Sequence, residues 1–133
     1  MTAAICDIHF EQGIANQLDL KDWLDDNKQP IPLDGCTAVL QVRQQIDSTD
    51  TLLELTTENG KITIANGVIS MRFAVEDTAK LEPLEPRKVL GGLPNVAPQY
   101  AAGVYELRIT RPNGEPISVL RGVVLITPAV VRP

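Results

Sequence analysis

Apolar and polar residues alternate with a period of two along most of the chain, the pattern of strands with one buried face. In ICDIHF, residues 5–10, Cys6, Ile8 and Phe10 fall on one face and Asp7 and His9 on the other. In IANQLDLKDW, residues 14–23, Ile14, Asn16, Leu18 and Leu20 oppose Gln17, Asp19 and Lys21. That segment also fits a helix, and its context favours a strand. Ala38, Leu40 and Val42 alternate with Thr37, Val39, Gln41 and Arg43 in CTAVLQVRQQI, residues 36–46. TLLELTT, KITIA and VISMRFA follow, and the chain closes with GVYELRITR and PISVLRGVVLI. About eight strands at near-regular spacing predict an all-β fold, an antiparallel β-sandwich forming one domain over residues 1–133.

Turn residues punctuate these strands. Asn59-Gly60 and Asn66-Gly67 each predict a tight hairpin, because both residues tolerate the positive φ of a type I′ turn. The run PNGE, residues 112–115, predicts another turn. One short helix is expected in AVEDTAKLEP, residues 74–83, with acids early, Lys80 late and Pro83 as a stop. Residues 81–102 stand apart: prolines 83, 86, 94 and 98 and the pair Gly91-Gly92 bar a central strand. This long Pro-rich loop is nevertheless apolar at Leu84, Val89, Leu90, Leu93, Val96 and Tyr100. It either packs on its own domain or docks on a neighbour, and these six residues are the candidate protein–protein interface.

Composition narrows the class. With 44% hydrophobic and 22% charged residues the chain is globular, and with 4% aromatics its core must be aliphatic. A net charge of −5 disfavours a sequence-independent grip on nucleic acid or on an anionic membrane surface. Residues 1–60 carry eleven acids and three bases, whereas residues 61–133 carry six acids and nine bases. No apolar run reaches the ~20 residues that span a bilayer, and the N-terminus lacks a signal-peptide pattern. Cys6 and Cys36 lack metal-ligand spacing and sit among apolar neighbours, so free buried thiols are expected.

Candidate chemistry is sparse. His9, the sole histidine, falls in a strand as an outward residue. Asp25-Asp26 and Glu82 with Glu85 are acids in turn or loop segments. DWLDDN, residues 22–27, is rich in oxygen ligands but lacks the spacing and glycine of an EF-hand loop. LGGLPN has two glycines without the context of a phosphate loop. Neither an enzyme nor a cofactor or metal site is expected. Trp23 is the possible ligand platform, through ring stacking.

Several strings taken together resemble a family of small phage and prophage proteins. They are IHFEQG at 8–13, PIPLDGCTAVLQVR at 30–43, LLELTTENGKITI at 52–64, GVISMRFAVEDTAKL at 67–81 and GVYELRITRPNGEPISVLRGVVLITPAVVR at 103–132. The order and spacing are similar to the N-terminal immunoglobulin-like domain of phage baseplate upper proteins, with residues 81–102 as an insertion. The resemblance implies an immunoglobulin-like sandwich located in the virion and assembled in the host cytoplasm. It implies a non-enzymatic structural role, a tail, baseplate or fibre-attachment adaptor in multiple copies within a symmetric assembly, with other virion proteins as partners. Ending at LRGVVLITPAVVR, the chain is expected to be the bare module. A capsid decoration protein and a host-surface carbohydrate or receptor-binding module are the alternatives.

Overall fold

The computed structural model describes residues 3–21, 32–84, 100–129 and 131. Among these it shows nine strands, β1 (Ala4–Ile5), β2 (Ile8–Glu11), β3 (Asn16–Leu20), β4 (Thr37–Arg43), β5 (Leu53–Thr56), β6 (Ile62–Ala65), β7 (Val68–Phe73), β8 (Tyr100–Thr110) and β9 (Pro116–Thr127). One short helix, α1 (Val75–Ala79), lies between β7 and β8. The larger sheet has six strands, ordered β1-β9-β8-β4-β5, with β2 also on β9; the smaller is β3-β7-β6. The all-β sandwich predicted from alternation is present.

Alternation becomes a core because each sheet turns its apolar parity toward the other. Leu40, Leu55, Leu107 and Ile109 of the larger sheet are buried with Ile62, Ile69 and Met71 of the smaller. Phe10 of β2 meets Phe73 of β7 with ring centroids 4.6 Å apart, linking the two layers. Each such side chain contributes about 1.5–3 kcal/mol on burial.

Three local expectations are corrected. First, the sandwich is not purely antiparallel: β1 and β2 run parallel to β9, with Ile5 beside Arg121 and Ile8 beside Val124. Alternation reports which face a residue takes and is blind to strand direction. Second, Asn59-Gly60 does not close a hairpin, because β5 belongs to the larger sheet and β6 to the smaller. Asn66-Gly67 does, joining β6 to β7 with φ of 54° and 74° at its two residues. Third, Cys6 is an exposed free thiol and Cys36 is half-buried, rather than both being buried.

The reason for Cys6 is a break in the opening strand. The Cys6 amide donates to Arg121 O at 2.8 Å, its carbonyl accepts from the Tyr105 hydroxyl, and Asp7 Oδ1 accepts from the Val123 amide at 3.0 Å. A side chain at Gly122 would collide with the Cys6 carbonyl, so glycine permits this close crossing. Alternation does not carry across such a pinch. Burial pushes the Tyr105 hydroxyl well above the ordinary phenol range, with the nearby Cys6 and Asp7 adding to the effect.

The boundaries of the 81–102 loop also shift. Leu81 is fully buried in the core, the Leu84 amide donates to Ala101 O at 2.9 Å, and β8 already begins at Tyr100. Both ends of the segment thus belong to the sandwich. On the other side of the helix, Asp77 anchors the turn. Its carboxylate accepts from Lys61 Nζ at 2.7 Å and from the Ala74 amide at 3.0 Å. Thr78 Oγ1 donates to Ile14 O at 3.0 Å, tying the helix to the chain just before β3.

Candidate interaction face

Residues on the outward parity of β4, β8 and β9 line a shallow depression of about 510 Å³ on the larger sheet. Strand register stacks them in rows. One row reads Ile5, Arg121, Glu106, Gln41 and Glu54 across β1, β9, β8, β4 and β5. The next reads Val123, Val104 and Arg43. On the other side Val39 stands between Arg108 and Thr56. Ile46, beyond the end of β4, rises at the rim and is 78% exposed, as is Ile5 at the opposite margin.

Glu106 organises the charges. Its Oε1 lies 3.1 Å from Arg108 Nε, its Oε2 3.9 Å from Arg121 Nε, and Ser118 Oγ donates to Oε2 at 2.6 Å. Burial raises its carboxyl, but the bonds from Ser118 and Arg108 and the charges of Arg108 and Arg121 outweigh it and hold it below the ordinary range. Across β4, Gln41 Nε2 donates to Glu54 Oε2 at 2.6 Å and Gln41 Oε1 accepts from Arg43 at 3.0 Å. Two arginines, Arg108 on β8 and Arg121 on β9, thus flank Glu106, and a third, Arg43, stands on β4. Acids, Glu54 on β5 with Asp47 and Asp50 in the preceding turn, gather on the opposite side. Apolar side chains between fixed charges are what a protein-binding patch offers: area to bury and a register to read.

Of the interface residues expected from sequence, Leu84 and Tyr100 lie among the described residues. Tyr100 packs against the core and Leu84 is partly exposed beside β8. Val89, Leu90, Leu93, Val96 and the ligand-platform residue Trp23 lie outside the described residues, as do Asp25, Asp26 and Glu85. His9 is exposed on β2, as its parity predicts, with Nε2 2.6 Å from Thr127 Oγ1. Among the described residues there is no group of three or more His, Cys, Asp or Glu able to hold a metal ion, and no helix long and apolar enough to cross a membrane. The outer face itself was not singled out by the sequence. Its signal is aliphatic residues on the polar parity, at Val39, Val104 and Val123, and arginines whose adjacency appears only once the register is known.

The strand order defines the class of fold. A sheet running β9-β8-β4-β5, facing β3-β7-β6 and joined by the first strand along its β9 edge, is an immunoglobulin-like β-sandwich. No protein-family model matches the sequence, and no curated protein matches it. Among solved structures, extracellular domains 3–5 of Drosophila OTK are similar at 15% identity and a TM-score of 0.36, over 94% of this chain and 34% of that one. The chain spans about a third of that structure's length, and so low a likeness has no bearing on partners or setting.

Proposed function

We propose that the protein is a non-enzymatic virion structural protein, a tail, baseplate or fibre-attachment adaptor present in multiple copies. It is held in its assembly through the outer face of the six-stranded sheet. The observation that carries this reading is that face, with valines and an exposed isoleucine set among cross-strand charges on a rigid two-layer scaffold. The virion setting is supported by the sequence resemblance to phage baseplate domains, which the arrangement of two sheets accommodates.

Mass spectrometry of purified phage particles from the encoding host tests the setting: the chain is expected among the structural proteins, and its absence from particles overturns the reading. A Val104→Asp, Val123→Asp double variant tests the face. Both residues are outward on β8 and β9, so circular dichroism is expected to show a folded sandwich while incorporation into particles falls at least tenfold.

A further inference from the structure

We infer that the outer face of the larger sheet pairs with the same face of a second copy of this chain, about a two-fold axis lying between β4 and β8 and parallel to the strands. This inference rests on the reading of that face as an interaction surface and names its occupant.

The argument is charge geometry. A two-fold axis along the strands keeps each row at its own level and exchanges the two sides of the sheet. It sets β5 of one copy over β9 of the other, and β4 over β8. Within the central row, Glu54 on β5 then meets the second copy's Arg121 on β9, and Gln41 meets Glu106. At the neighbouring level Arg43 lies over Val104, and Ile46, exposed at the rim of the same depression, adds apolar area to the contact. Each contact occurs twice, as an isologous interface requires. An axis perpendicular to the strands would instead place β9 on β9, or arginine against arginine, and β5 on β5.

The groups involved are free to respond. Arg108 and Arg121 approach Glu106 through Nε, and no hydrogen bond to a described residue holds their terminal nitrogens. Glu54 is exposed and uses one oxygen on Gln41. The four strands that this axis superposes, β9, β8, β4 and β5, at ~4.8 Å spacing and seven residues at ~3.3 Å rise, give a face about 19 Å by 23 Å, so two copies bury roughly 900 Å². That falls a little short of the ~1,000 Å² expected of a stable specific interface, so the dimer is a weak one that depends on its ion pairs.

Sedimentation of the full chain up to about 0.5 mM, at low and high salt, tests this. Wild type is expected to dimerise at low salt, with a dissociation constant at least fivefold weaker at high salt. Arg121→Glu and Glu54→Lys each set like charges opposite one another twice, and each is expected to weaken dimerisation at least tenfold while keeping the wild-type circular dichroism. Mixed one to one, they form a heterodimer in which both contacts are again of opposite charge, and dimerisation is expected to return. Failure of the mixture to dimerise, or a dimer indifferent to both single variants, overturns the pairing. A wild-type monomer at every concentration overturns it too. None of these results alters whether the chain is found in particles, so the adaptor reading fails or stands separately.

Discussion

Glu106 shows how much of a residue's behaviour is set by its neighbours. Its carboxyl is held below the unfolded value of 4.5 by hydrogen bonds and arginine charges that outweigh its partial burial. A depressed folded value means the associated stability is fully present above about pH 4.5 and is lost as the pH falls through the folded value. Glu106→Gln is therefore expected to lower stability near neutral pH by less than about 1 kcal/mol, because the arginines that face it are largely exposed and solvent screens their charges. The difference from wild type is expected to vanish in strong acid. Urea titrations of dilute protein from about pH 7 down to about pH 2.5 check this; a constant difference at all pH values contradicts it. The sequence displays Glu106, Arg108 and Arg121, but not that a register places Arg121 opposite Glu106.

At the scale of an element, β5 is an edge strand whose open side is already partly occupied. The Thr57 amide donates to Ala38 O, so the odd-numbered residues face β4, and Glu54 and Thr56 turn their backbone groups outward. Asn59 takes up two of these groups: its Nδ2 donates to Glu54 O at 3.2 Å and its Oδ1 accepts from the Thr56 amide at 3.1 Å. The carboxamide thereby stands in for the peptide of a neighbouring strand and blunts the edge against further pairing. Asn59→Ala is expected to cost about 1–2 kcal/mol and to produce species larger than a dimer by light scattering. Unchanged size at high concentration would show that the edge needs no such guard. The dipeptide Asn59-Gly60 was legible as a turn, but its use was not. Hairpin chemistry looks the same whether the next strand pairs with the last or crosses to the other sheet.

For the whole molecule, the two layers are joined by aliphatic and aromatic contact, with Cys6 and Cys36 both free thiols. Leu107 is fully buried on β8 between Leu40 and Leu120 in register. Leu107→Ala is expected to destabilise the sandwich by about 3 kcal/mol, through lost transfer energy and the cavity left behind. Reductant is expected to leave the melting temperature of wild type and variant unchanged. A fall in the wild-type melting temperature under reductant would reveal a stabilising cross-link. The core list was largely legible, since Ile8, Phe10, Ala38, Leu40, Val42, Ile69, Met71 and Phe73 follow alternation directly. Alternation failed at Cys6, where the strand breaks.

By itself the sequence determined the strands, the helix, the Asn66-Gly67 turn and the aliphatic character of the core. Each of these is a local property of parity, backbone preference or composition. Only the tertiary structure decided that the first strand runs parallel to the last, that β5 and β6 part into different sheets, and that Arg121, Glu106, Gln41 and Glu54 form one row. Those facts depend on which strands become neighbours and in what register. That is settled by the packing of distant segments against a common core, and no single segment carries it.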